Sequence, residues 1–292
     1  MKYWCFLLVF TLAFPASAKQ HVIRHITHKS QDDFRDSYYA DLLKLALQAS
    51  QQEYGDYSLV PVPVDVFQGR VIELLKRGEQ LDVIWTMTSE TREQQLLPIR
   101  IPLAKGIMGY RLLMIREGTQ SLFNHLDERQ LKQKLAGQAY DWPDTQILKA
   151  NGFKVITAPA STLVAMLKAG RFDYFPRGLQ EIWDEVDSFD GVEVEDSLLI
   201  YYPAPMFFFV NRQNKILAER LEKGLRLVVD RGGQEKLLDE YHFIRDAVLR
   251  AKIANRKIIT LRNPALSLAS RQALDPESTL HAENGPETKK EP

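Results

Sequence analysis

The fold turns on two stretches of sequence, the first being Gly69-Arg70-Val71-Ile72-Glu73-Leu74-Leu75-Lys76-Arg77-Gly78, carried on through Leu81-Asp82-Val83-Ile84-Trp85 into Thr86-Met87-Thr88-Ser89-Glu90-Thr91-Arg92-Glu93. Val71, Ile72, Leu74 and Leu75 recur at helical spacing and Gly78 stops them, so Gln68 to Arg77 reads as a short amphipathic helix. Leu81 to Trp85 reads as a short apolar strand, and the residues after it as a polar loop. The second stretch, Leu163-Val164-Ala165-Met166-Leu167-Lys168-Ala169-Gly170-Arg171-Phe172-Asp173-Tyr174-Phe175-Pro176-Arg177-Gly178, has the same form. Each is a helix closed by glycine, then an Asp at a strand, then a polar turn.

Upstream of the first stretch, His21 to Ile26 alternates as a strand, Tyr38 to Tyr54 is a helix stopped by Gly55, and Tyr57 to Val66 is a strand whose Pro61 and Pro63 confine it to an edge. This β-α-β-α-β order is the mark of a sheet covered by helices. The second half repeats it. Leu131 to Leu135 leads into Gly137, and Asp141-Trp142-Pro143-Asp144 opens a helix through Ala150, with Pro143 in the first turn. Phe153 to Ile156 is a strand, Thr162 to Lys168 a helix, Phe172 to Phe175 a strand and Leu179 to Val186 a helix. Beyond Pro205, Met206 to Val210 is a strand, Lys215 to Val229 a helix broken by Gly232-Gly233, and Lys236 to His242 a shorter helix. The pattern fades after Asn263, and the polar, Pro-containing residues from about 275 to 292 read as a disordered tail. The fold class is α/β, in two lobes.

The chain opens Met1-Lys2, runs uncharged from Tyr3 to Phe14 and reaches Pro15-Ala16-Ser17-Ala18, the layout of a cleaved signal peptide ending near Ala18. The run is shorter than the roughly 20 apolar residues that span a bilayer. Its removal takes away the single Cys, Cys5, and one of the 38 basic residues, Lys2, leaving the 38 acidic ones untouched. A near-neutral chain has no general electrostatic attraction to nucleic acid or anionic lipid. Neither nucleic-acid binding nor membrane insertion is expected, and the location expected is the periplasm.

Motifs for catalysis are scarce. There is no phosphate loop and no nucleophile elbow, and His21, His25 and His28 lie on a strand where their spacing does not gather a metal. Paired acids such as Glu181 with Glu185, and Asp184 with Asp187, read as a solvated helix face. In open α/β sheets ligands bind at the carboxyl ends of strands. Thr86, Thr88, Ser89 and Arg92 converge there from one lobe, with Tyr174 and Arg177 facing them from the other. An Arg in such a crevice suits a carboxylate or phosphate, to which its planar fork donates two parallel hydrogen bonds.

Over about residues 22–245 these stretches resemble the bacterial extracellular solute-binding proteins of family 3, the type II periplasmic binding proteins. The resemblance implies two lobes joined by crossings at Tyr110–Arg116 and Ile200–Val210, closing on ligand like a hinge. It places one lobe at 19–112 plus 204–262, the other at 113–203, and an extension at 263–292. It also implies that Arg92 holds a ligand carboxylate, helped by Thr86 and Thr88. The family's acid for an α-amino group falls just past Asp173, where Phe175-Pro176-Arg177-Gly178 carries none. That argues for an anionic ligand over an ordinary α-amino acid. Arg70, Arg92 and Arg177 are the candidate donors, Trp85, Trp142, Tyr174 and Tyr202 the candidate walls, and Asp144 lies at the helix start beside them. No cofactor or metal is implied. The implied partners are a small-molecule ligand and an inner-membrane permease or a sensor kinase, with the chain a monomer. Two rivals stand beside this reading. One is an interaction partner that binds no small molecule. The other is a dehydratase-like enzyme using Asp141 or Asp144 as proton carrier.

Overall fold

The computed structural model describes residues 21–27, 34–64 and 66–274. The leader expected at 1–18 and the tail expected from about 275 lie outside the described residues, as does His28. Twelve strands are described: β1 (His21–Thr27), β2 (Tyr57–Pro63), β3 (Val83–Met87), β4 (Leu97–Ile99), β5 (Tyr110–Arg116), β6 (Leu135–Ala139), β7 (Lys154–Ala158), β8 (Tyr174–Gly178), β9 (Val192–Val194), β10 (Leu198–Tyr201), β11 (Met206–Val210) and β12 (Lys257–Thr260). They form two sheets, one in the order β2-β1-β3-β11-β4, the other β12-β10-β5-β8-β6-β7 with β9 against β5.

The two sheets share a plan. In each, three parallel strands lie in the order second, first, third (β2-β1-β3 and β7-β6-β8), and an antiparallel strand flanks the third. The two Asp residues singled out in the sequence have one job in both places. Asp82 N–H donates to Arg24 O (2.8 Å) while its carboxylate accepts Arg24 N–H (2.8 Å). Asp173 N–H donates to Leu135 O (2.8 Å) and its carboxylate accepts Leu135 N–H (2.7 Å). Each clamps the third strand to the first, satisfying a backbone donor where the ladder begins.

β2, with Pro61 and Pro63, is an edge strand, where a missing N–H costs little. β3 and β8 lie inside their sheets and are buried along their whole length. β11 lies between β3 and β4, and Phe207, Phe208 and Phe209 are all buried although successive side chains point to opposite faces. On the first sheet, helix Phe34–Ala49 packs on helix Lys215–Asp230. A Cβ on Gly224 would lie 1.9 Å from Ala46 O, so the two backbones approach this closely only because residue 224 is glycine. Gly137 does not end a segment, as its position in the sequence suggests. It sits inside β6, where the Phe172 ring occupies the space a Cβ would need (2.3 Å). Among the described residues no helix is long and apolar enough to cross a membrane.

Several boundaries differ from the expected ones. Tyr110–Arg116 is not a crossing but a strand of the second sheet, and the passage between sheets is 100–109. The return passage, 202–205, falls inside the expected Ile200–Val210. Residues 257–260, expected with the first lobe, pair with Leu198–Tyr201 in the second sheet. The segment after Asn263 is folded as far as helix Leu268–Gln272, because Leu266 and Ser270 are buried there.

Candidate functional site

Where the carboxyl end of β3 meets the second lobe, the chain encloses a cavity of about 290 Å³. The first lobe contributes Tyr39, Gln68, Trp85, Thr86 and Met87, and the passage between the sheets contributes Ile107 and Met108. The second lobe contributes Arg111, Trp142, Asp144, Arg177, Gln180, Glu181 and Glu185. The lobes meet at the mouth, where the Phe67 and Tyr140 rings stand 5.7 Å apart and Gly69 N–H donates to Asp141 (3.4 Å).

On the first lobe, Ser89 caps helix Glu90–Gln95 by accepting Arg92 N–H (3.3 Å). This brings the Arg92 side chain back toward β3. Nη1 donates to Thr86 Oγ1 (2.6 Å) and Met87 O (2.7 Å), and Nη2 to Gln68 Oε1 (2.8 Å). Arg92 is 5 % exposed and is held by neutral acceptors alone, with no carboxylate at ion-pairing distance among the described residues. Burial pushes its guanidinium down to about 10, against the opposing pull of Asp144 and Asp141 across the cleft. It is therefore still a cation at neutral pH. Arg92 stands just behind the cavity wall, bonded to three residues that line it.

The second lobe treats its arginines differently. Arg111 Nε donates to Asp144 Oδ1 (2.7 Å), and Nη1 donates to Met108 O. The Tyr202 hydroxyl donates to the same Asp144 oxygen, and its ring lies under the Arg111 guanidinium (5.0 Å). Arg111 and these hydrogen bonds outweigh burial and hold the Asp144 carboxyl below its usual range. Arg177 is bonded to Glu185, with Nε to Oε2 at 2.6 Å, and paired with Glu181 (2.9 Å). Its guanidinium lies over the Trp142 ring at 4.7 Å. Gln180 Oε1 is buried with no hydrogen-bond partner among the described residues.

Of the residues expected at the site, Trp85, Thr86, Trp142, Asp144 and Arg177 line the cavity, with Arg92 behind it. Thr88 does not reach it, since its hydroxyl donates to Glu93 (2.7 Å). Arg70 is exposed on helix Gln68–Arg77, and two positions on from Gln68 means about 200° around the axis, away from the cleft. Tyr174 is buried beside Phe123 (6.2 Å) on the other face of the second sheet. It does not share the cleft with Arg177, because residues three apart on a strand face opposite sides and β8 runs unbroken through both. Tyr202 is no wall; it is buried at the passage, holding Asp144.

Arg111, Gln180, Glu181 and Glu185 were missed. Arg111 had a signal, being a lone charge in the apolar run Tyr110–Ile115. Glu181 and Glu185 are half-buried at the cavity, not on a solvated face, because Arg177 draws them inward. The region past Asp173 is therefore not without acid, and the argument against an ammonium group falls. Arg92, Arg111 and Arg177 face Asp144, Glu181 and Glu185, so the formal charges of these six balance. Among the described residues the charge is uneven, with an acid-free cation at the Thr86 end and two carboxylates on one arginine at the other.

No family model and no curated protein sequence matches the chain. Solved structures do. An ancestral arginine-binding protein bound to arginine is 20 % identical, with a TM-score of 0.55, over 77 % of this chain and 99 % of that one. The periplasmic VFT2 domain of Bordetella pertussis BvgS is 17 % identical, with a TM-score of 0.56, over 77 % and 92 %. A Salmonella typhimurium periplasmic binding protein of high arginine specificity is 14 % identical, with a TM-score of 0.54, over 75 % and 98 %. At these identities the likeness is one of fold, and the fold is that of the two-lobe periplasmic binding proteins.

Proposed function

We propose that the chain is a periplasmic solute-binding or solute-sensing protein that takes a small polar ligand between its lobes. The ligand's anionic group lies at the Thr86–Arg92 end, and a flat portion lies between Trp85 and Trp142. The observation that carries the reading is Arg92, a buried cation just behind the cavity wall served, among the described residues, only by neutral acceptors. Burying a charge is costly unless something compensates it, and groups perturbed in this way gather at functional sites. An anion in the cavity supplies that compensation. The carboxylate excess around Arg177 and the unpartnered Gln180 oxygen suit a donor at the opposite end, so a zwitterion fits as well as a plain carboxylate. Depressed and locked between Arg111 and Tyr202, Asp144 is poorly suited to carry a proton. The apolar run before Ala18 supports a periplasmic location, where a permease or a sensor kinase is the partner that fits.

Thermal-shift measurements with a panel of basic and acidic amino acids, dicarboxylates and aromatic carboxylates test this. A true ligand at about 100 times its dissociation constant stabilises by roughly 2.7 kcal/mol. If no member of the panel raises the melting temperature, the cleft is not such a site, and the interaction-partner reading takes its place.

A further inference from the structure

The chain passes between the lobes more than twice. Once β11 has returned it to the first sheet, helix His242–Ala251 leads to β12, which lies parallel to β10 in the second sheet. Residues 261–266 then run back along the passage 202–205. Leu261 N–H donates to Tyr201 O (2.7 Å), Asn263 Nδ2 donates to Pro203 O (2.8 Å), and Asn263 Oδ1 accepts Ala265 N–H (2.9 Å). On the far side Ala265 O accepts Glu90 N–H (2.7 Å). The hydroxyls of Ser267 (2.8 Å) and Ser270 (2.6 Å) donate to the Glu93 carboxylate, which also accepts from Thr88 and Arg100. Residues 257–274 are thus anchored in the second sheet at one end and at the other on the helix that carries Arg92.

We propose that this segment is a hinge strap that restrains opening of the lobes and favours the arrangement in which Phe67 meets Tyr140. Opening would turn the second sheet away from helix Glu90–Gln95 about the passages 100–109 and 202–205. Hinge motion is absorbed by large φ/ψ changes in a few residues. The strap adds a further span, beyond the one through helix His242–Ala251, that must change with those two, and this span is stiff. Pro264 has a fixed φ, Asn263 pins the middle to Pro203, and Leu261 and Leu266 are buried. The proposal concerns the protein without ligand and does not depend on what the cavity binds.

The test is an inter-lobe distance measurement on the full chain. The sequence holds one Cys, so Cys5→Ser gives a background in which Arg70→Cys and Lys149→Cys, exposed on opposite lobes, carry spin labels. The distance distribution is compared with that after a flexible Gly-Ser insertion between residues 262 and 263, and with that of Asn263→Ala. The insertion is expected to shift the distribution to longer distances and broaden it. Asn263→Ala should shift it less, in the same direction. Hydrogen exchange at Lys257 and Ile259, whose N–H groups face β10, should stay as slow as before, showing that β12 is still docked. Unchanged distributions overturn the proposal, and so does a shift accompanied by loss of that protection. If the insertion prevents folding, Asn263→Ala alone decides.

Discussion

The two lobes bring the same device to the cleft, and it ends differently in each. In both, an Asp clamps the third strand to the first and an arginine lies just beyond. In the first lobe the strand stops at Met87 and the chain turns into a helix, so Arg92 folds back onto Thr86, Met87 and Gln68 and meets no acid among the described residues. In the second the strand continues through Arg177, and helix Ile182–Ser188 follows, with Glu181 just before it and Glu185 within it. One arginine keeps its charge for something else; the other is already neutralised. A motif shared between lobes therefore fixes where an arginine stands but not whether its charge is available.

This contrast can be broken by mutation, and the largest effect is expected at the second lobe's neutralised pair beside the hinge. Arg111→Ala strips Asp144 of its cation in a buried site and should destabilise the fold by about 3–5 kcal/mol in urea unfolding. Arg92→Ala leaves no orphaned charge and should cost clearly less. Equal losses would mean that Arg92 is as structural as Arg111. The clamps come next. Asp82→Ala and Asp173→Ala each leave a strand N–H without its acceptor and should each cost about 1–3 kcal/mol. If only one does, the two lobes are not built alike.

The smallest effect is in pH. Asp144 has a depressed native pKa, so its contribution to stability is fully present above the unfolded value of about 4 and is lost as pH falls through the native value below that. Asp144→Asn should flatten the fall in stability below about pH 4. An unchanged acid limb would show that other carboxylates carry it.

Much of this was legible in the sequence, for stated reasons. Period and stop signals placed β1, β3, helix Gln68–Arg77 and helix Lys215–Asp230 close to where they lie. Pro61 and Pro63 marked the edge strand. What failed was whatever depends on tertiary pairing. Whether Pro176-Arg177-Gly178 is turn or strand is decided by β5, more than 60 residues away, and that register turns Tyr174 away from the cleft. Glu181 and Glu185 look like a wet helix face until Arg177 is placed beside them. β12 was missed although Ile258, Ile259 and Thr260 are β-branched, because a four-residue strand gains its stability only from β10.

The most direct test compares the two arginines in binding. Titration calorimetry is run with whichever panel compound gives the largest thermal shift, on the unaltered chain, Arg92→Ala, Arg92→Lys and Arg177→Ala, with circular dichroism confirming the fold. Arg92→Ala should lose about 2–5 kcal/mol of binding, roughly 30-fold to several-thousand-fold in affinity, and Arg92→Lys should recover part of it. Arg177→Ala, whose charge Glu181 and Glu185 already take up, should lose much less. Unchanged affinity in Arg92→Ala, or a larger loss in Arg177→Ala, would contradict the assignment of Arg92 as the group that holds the ligand's anion.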